Sequence, residues 1–263
     1  MQAAFLYTLG SVIVVSMVSL LGALALSIQK KLLHRLLLVL VSFSAAALLG
    51  DVFFHLLPEL AEDVGFGPEI SVWILLGIIA FFLVEKFICW HHCHTTESCD
   101  EHAHGGKTSK NEHHALHRFG HTILFGDVLH NFMDGLVIAG SYLVSIPVGI
   151  ATTIAVVLHE IPQELGDFGV LVHAGHSTGR ALSLNFITAL SAVVGGVIGL
   201  FLGNVIEGFL PAIIAFTAGS FIYIAAADLI PELHKEARVW PSVLQFAGFL
   251  MGLLAMYGLL FLD

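Results

Sequence analysis

The sequence predicts an all-α membrane protein of eight transmembrane helices, with both termini on the outer side. Three observations carry this expectation. Of 263 residues, 57% are hydrophobic and only 11% are charged, whereas a soluble domain is about one quarter charged. Apolar stretches of about 20 residues, the length a helix needs to cross a bilayer, recur along the whole chain. The basic residues, finally, fall on alternate connections between those stretches.

The first stretch, roughly residues 4–28, has no basic residue ahead of Lys30, and its apolar run is too long for a signal-peptide core. It reads as a permanent helix. The second, roughly 36–60, follows Lys30, Lys31 and Arg35, and the third runs roughly from 70 to 90. The fourth and fifth, roughly 121–143 and 147–172, are separated by a short turn around Ser145 and Pro147. That turn makes them antiparallel neighbours. The sixth, seventh and eighth occupy roughly 180–203, 209–232 and 240–262. A single transmembrane domain over 1–263 leaves no room for a soluble one.

With eight spans, Lys30, Lys31, Arg35, Lys86, Lys107, Lys110, Arg118, Arg180, Lys235 and Arg238 all share one side. Glu62, Asp63, Glu69, Glu207 and Asp263 lie on the other, which has no lysine or arginine. Basic short loops mark the cytoplasmic face, so both ends lie outside. The expected location is a plasma or inner membrane. A net charge of −10 lacks the basic footprint of a nucleic-acid partner. Lipid is the expected surrounding.

The longest hydrophilic segment is "HHCHTTESCDEHAHGGKTSKNEHHALH", residues 91–117, which holds eight of the sixteen histidines together with Cys93 and Cys99. Gly, Ser and Thr deny it a core, so it reads as a cytoplasmic loop. A solvated linker is the plainer reading, but imidazole and thiolate at this density favour metal binding. Elsewhere, "HLLPEL" (55–60) closes the second span and "DLIPEL" (228–233) closes the seventh. Those spans run in opposite directions, as an inverted repeat of the first three and last three spans requires.

The densest polar signal lies in the fourth and fifth spans. "HNFMDG" holds His130, Asn131 and Asp134, and "HEIPQELGDF" holds His159, Glu160, Gln163, Glu164 and Asp167. In each, the first and fifth positions share a helix face, and the second sits about 100° round. Imidazoles, carboxylates and carboxamides together suit a divalent first-row metal. A lone intramembrane asparagine usually glues helices. Four acids without a basic partner are another matter, since each costs at least ~2.5 kcal/mol at the bilayer centre. Either a cation visits them or they are protonated, and the density of metal-type donors around them favours the cation. Pro162 and Gly166 loosen the fifth helix and free carbonyls, tolerable only under cover of protein or a water-filled cavity. Asp51, His55 and Glu59 on the second span, with Asp228 and Glu232 on the seventh, extend the polar trail toward each face.

At these residues the chain resembles the ZIP family of divalent-metal transporters. The resemblance rests on "GDVFFHLLPEL" (50–60), the His-rich loop, "HNFMDG", "HEIPQELGDF" and "AGSFIYIAAADLIPEL" (218–233), and is nearest to the branch with a HEXPHEXGDF-type fifth span. It implies a three-plus-two-plus-three inverted-repeat bundle, frequently a homodimer, with a two-metal centre between the fourth and fifth spans. By position, His130, Asn131, Asp134, His159 and Glu160 match the family's ligands. Gln163 stands where the branch has histidine, and a carboxamide oxygen is a weaker, harder donor than imidazole. That keeps Fe²⁺ and Mn²⁺ as alternatives to Zn²⁺. Glu164 follows Gln163 but points about 100° away.

The expected activity is transport rather than catalysis, with Zn²⁺ as substrate and no cofactor. The ion passes Asp51, His55 and Glu59, sheds water onto the central residues, and leaves past Asp228 and Glu232 into the cytoplasm. The alternative is an intramembrane metal-dependent hydrolase, since HEXXH on a helix supplies two zinc histidines and a general base. "HEIPQ" lacks the second histidine, which disfavours it.

Overall fold

The computed structural model describes residues 2–22, 30–93, 110–173, 175–206 and 208–262. Residues 94–109, the centre of the expected His-rich loop, lie outside the described residues, as do the side chains of the remainder of 91–117.

Eight helical columns appear among the described residues. α1 is Gln2–Val18, closed by a 3₁₀ turn at Ser19–Leu21. α2 comprises Lys30–Asp51, a π turn at Val52–Leu56 and Leu57–Asp63. α3 is Pro68–Cys93, α4 is Lys110–Val144 and α5 is Ile146–His173. α6 is broken at Leu190 into Thr178–Ala189 and Ser191–Val205. α7 comprises Phe209–Tyr223, a π turn at Ile224–Leu229 and Ile230–His234. α8 is Val239–Leu259, with a last 3₁₀ turn.

Six stretches among the described residues are long and apolar enough to cross a membrane, within α1, α2, α5, α6, α7 and α8. In α3 the shorter Pro68–Val84 is also apolar. α4 is diluted by its own polar residues, Asp127, His130, Asn131 and Asp134 among them. The distribution of side chains is that of a protein dissolved in lipid. Leu6, Ile13, Leu75, Phe82, Phe201, Phe246 and Leu254 point outward, while Ser16, Ser44, Asp51, Asp134, His159 and Glu160 are buried. Such an apolar exterior would be an aggregation surface in water.

α1 packs on α4, α5 and α6, while α2 pairs with α8 and α3 with α7. α5 sits between α4 and α2. The start of α7 meets the end of α2, and the end of α7 meets the start of α2, so these two helices are antiparallel. Glycine sets the closest approaches. A Cβ on Gly135 of α4 would stand 2.0 Å from the Ala192 carbonyl of α6, and one on Gly195 would stand 2.0 Å from the Phe132 carbonyl of α4. Gly77 and Gly219 make the same reciprocal contact between α3 and α7, at 2.1 Å and 1.9 Å from Phe216 and Ile74 carbonyls. Without lipid-driven hydrophobic association, such backbone contact is a main source of helix adhesion.

Prolines explain the irregular turns. Pro58 and Pro231 each follow a π turn, which relieves the clash between a proline ring and the carbonyl four residues earlier. Pro162 instead lies inside a continuous α5. The carbonyl it leaves without a helical donor, Leu158 O, accepts a hydrogen bond from Ser44 Oγ of α2 at 2.6 Å. Ser16 Oγ of α1 likewise reaches the Ala189 carbonyl, at the break in α6, at 2.8 Å. Ser44→Ala is therefore expected to destabilise the bundle by about 1–3 kcal/mol, the cost of a stranded buried carbonyl. A melting curve of the detergent-solubilised protein reads this out, and an unchanged midpoint would refute the pairing.

Candidate metal centre

α4 and α5 are joined at Ser145, whose Oγ accepts the Val148 N–H at 3.3 Å and caps α5. The hairpin lays two polar stripes against each other. On α4, Asp127, His130, Asn131 and Asp134 fall at positions i, i+3, i+4 and i+7, one face of a helix. On α5, His159 and Gln163 form one row, and Glu160 and Glu164 the next.

Four of these side chains converge. His130 Nε2 and His159 Nε2 are 3.1 Å apart. Glu160 Oε1 lies 3.4 Å from each of them. Asp134 Oδ2 lies 3.4 Å from His159 and 3.8 Å from His130. A tetrahedron of donors 2.0–2.1 Å from a zinc ion has edges of about 3.3–3.4 Å. The observed separations bracket that edge. His159 Nδ1 donates to the Ala155 carbonyl at 3.2 Å, which fixes the tautomer and leaves the Nε2 lone pair for an ion. Phe81 meets the His130 ring edge-on at 5.4 Å between centroids, and Phe221 meets His159 at 6.1 Å. These rings restrict reorientation of the imidazoles. Asp134, His159 and Glu160 side chains are 1% exposed and His130 is 12% exposed, so the set opens to solvent on the His130 side.

That opening is a cavity of about 420 Å³, lined by Asp127, His130, Gln163, Asp167, Asp228 and Glu232 among others. Gln163 thus stands one turn beyond His159, on the wall between the four donors and the cavity. Asp228 and Glu232, expected on the way out, share this cavity, and Glu232 pairs with Lys235 at its edge. Asp51 and His55 are buried elsewhere on α2, 3.5 Å apart, with Asp51 Oδ2 accepting from Thr152 of α5 at 2.9 Å. Thr152 precedes His159 by two turns, about 10 Å along the helix. Glu59 is half-buried on the next turn of α2.

A second group joins Asp127, which the sequence reading did not include, to two residues that it did. Carboxylate oxygens of Asp127, Glu160 and Glu164 also lie within 4.8 Å of one another, all three residues buried. Asn131 belongs to it, donating Nδ2 to Asp127 Oδ1 at 2.8 Å. Asp127 is the residue that sequence reasoning missed. Near the start of its span, it reads as an ordinary helix-end acid. Its spacing of three, four and seven from His130, Asn131 and Asp134 was the available signal.

The sequence matches the family described as ZIP Zinc transporter over residues 3–122 and 90–260. It is 34% identical to the zinc transporter SLC39A7 of Mus musculus over 297 residues, 85% of this chain and 62% of that protein. It is 31% identical to zipt-7.1 of Caenorhabditis briggsae, over 83% of this chain and 70% of that protein. Against the ZIP13 homolog of Drosophila melanogaster it is 31% identical, over 84% and 77% respectively. The chain spans a little under two thirds of the length of the mouse relative. The hydrolase alternative is not favoured, because these relatives are named as transporters. An all-helical, multi-pass membrane chain with buried imidazoles and carboxylates, matched over nearly its whole length, belongs to the ZIP zinc transporter family.

Proposed function

We propose that the protein carries divalent metal ions, Zn²⁺ foremost, across its membrane into the cytoplasm, through a seat made by His130, Asp134, His159 and Glu160. One observation carries the reading. Two neutral-type nitrogens and two carboxylates converge at tetrahedral-edge spacing, deep among apolar helices, with no lysine or arginine beside them among the described residues. Desolvated acids at that depth call for a cation. The names of the relatives, all zinc transporters, support the substrate class.

The path follows α5. Asp51 at Thr152 marks the outer approach, His159 and Glu160 the centre, and Gln163 and Asp167 the wall of the cavity that Asp228 and Glu232 share. With basic residues on the cytoplasmic side, α5 runs inward, and the cavity is the cytoplasmic mouth. An inside-negative potential drives the ion that way by about 2.3 kcal/mol per charge per 100 mV. The eight-span, three-plus-two-plus-three reading draws support from the antiparallel α2 and α7, each with a π turn ahead of Leu-Pro-Glu or Ile-Pro-Glu, and from the matching α2–α8 and α7–α3 pairs. The His-rich segment 91–117, expected on the cytoplasmic side, receives or senses ions.

Uptake of competing radioactive metals into proteoliposomes is the test. Saturable zinc flux is expected, and its absence from well-folded protein would overturn the reading. In the same assay Gln163→His, which places a nitrogen donor on the cavity wall beside His130, is expected to lower half-saturation for zinc about tenfold, equivalent to about 1.4 kcal/mol. Maximal flux should fall as release slows. Unchanged affinity and unchanged preference over Fe²⁺ and Mn²⁺ would remove Gln163 from the ion's path.

A further inference from the structure

We infer that Phe81 of α3 and Phe221 of α7 set the ion preference of the histidine seat, by holding it to four ligands and so favouring Zn²⁺ over Mn²⁺ and Fe²⁺. This rests on the transport reading above and deepens it. The two rings are 7% and 1% exposed. Each presses edge-on against an imidazole of the seat, Phe81 on His130 at 5.4 Å and Phe221 on His159 at 6.1 Å between centroids.

The donors themselves do not choose among these metals. Two imidazoles and two carboxylates bind most divalent first-row ions, in an order set mainly by the ion. Geometry separates them. Zn²⁺ is satisfied by four nitrogen and oxygen donors. Mn²⁺ takes six ligands, and Fe²⁺ on histidine and carboxylate keeps further positions open to others. His130, Asp134, His159 and Glu160 supply the smaller number. The larger one requires more oxygen to reach the ion, as water or as hydroxyl groups.

What packs on the imidazoles from α3 and α7 is hydrocarbon. A phenyl ring has no lone pair to lend a metal, and it keeps water out of the space it fills. Beside Phe221, the buried hydroxyls of Thr217 and Ser220 are turned back to donate to the Ile213 and Phe216 carbonyls, at 2.7 Å and 2.9 Å. Where the seat opens, at the 12% exposed His130, Phe81 shares the cavity wall with it and borders the way by which water arrives. The rings are also held in place. Phe81 lies one turn beyond Gly77 and Phe221 two residues beyond Gly219, the pair at which α3 and α7 touch backbone to backbone. The helices that carry the rings are thereby fixed against each other.

Ligand number is read with Co²⁺, whose visible bands are intense with four ligands and weak with six. Full-length wild type in lipid nanodiscs is expected to show the intense bands. Phe81→Asn and Phe221→Asn, which offer an oxygen and room for water, should weaken them at least about threefold at unchanged cobalt stoichiometry. In proteoliposomes the same variants should lower the half-saturation for Mn²⁺ relative to that for Zn²⁺ about tenfold. Phe81→Leu and Phe221→Leu should keep the intense bands and the wild-type ranking of metals, because an apolar space stays dry. Phe81 borders the cavity, where a polar side chain can be hydrated, so Phe81→Asn is the polar variant expected to fold. Weak bands in wild type overturn the inference. So does a folded Phe81→Asn that keeps either the intense bands or the wild-type ranking, or leucine variants that lose both as asparagine does. Zinc flux in wild type alongside any of these results defeats this inference alone, whereas no zinc flux at all defeats the transport reading.

Discussion

Replacing His159 by alanine is expected to lower selective zinc flux at least about 100-fold, beyond what losing a ligand's supporting contact costs. The ring supplies a donor whose tautomer the Ala155 carbonyl has already chosen, 3.1 Å from His130 and 3.4 Å from both Asp134 and Glu160. Alanine leaves His130 as the sole nitrogen of the seat. Phe221, which packs against the missing ring, is apolar and offers no substitute. Asp134→Ala should behave alike, since Asp134 is the α4 carboxylate of the set. Radioactive zinc uptake at matched protein levels measures both. Flux above about a tenth of wild type in either variant would place the ion elsewhere.

Gly219→Ala is expected to cost about 3 kcal/mol or more and to leave little folded protein in the membrane. The added Cβ would stand 1.9 Å from the Ile74 carbonyl oxygen. Ordinary contact needs more than an ångström beyond that, and a backbone carbonyl in a regular helix cannot rotate away. α3 and α7 must therefore separate, which also breaks the reciprocal contact at Gly77. Gly10→Ala is the control, because a Cβ there meets nothing within 4 Å. Size-exclusion profiles of the two variants should differ sharply. A wild-type profile for Gly219→Ala would mean that the helices lie further apart.

Much of this was legible in the sequence, for a physical reason. Lipid permits few ways to hide a polar group, so His130, Asp134, His159 and Glu160 stood out against their apolar surroundings, and the structure brings them together. Asp127 was harder to see, since an acid near a helix end is normally explained by the interface. Glu164 stood out with those four, and its row on α5 brings it to Asp127 and Glu160 rather than to the histidines. The π turns in α2 and α7 defeat periodicity outright. Each advances the helix by an irregular angle, so a 3.6-residue count from Asp51 does not carry through to Glu59. Ser44 and Ser16, whose partners are carbonyls on other helices, carry no sequence signal at all.

In mechanical terms, the glycine contacts turn helices into beams. α4 with α6, and α3 with α7, touch backbone to backbone at both members of each pair, so neither pair can shear internally without driving a carbonyl into a Cα. Compliance is left to seams where a side chain stands between the helices: Phe81 of α3 against His130 of α4, and Ile213 of α7 against Gly140 of α4. Every donor of the histidine seat rides on the α4–α5 side of those seams, with the rings of Phe81 and Phe221 packed against its imidazoles from α3 and α7. A rearrangement that changes access to the ion would slide oily rings past the seat and leave its ligand geometry undisturbed.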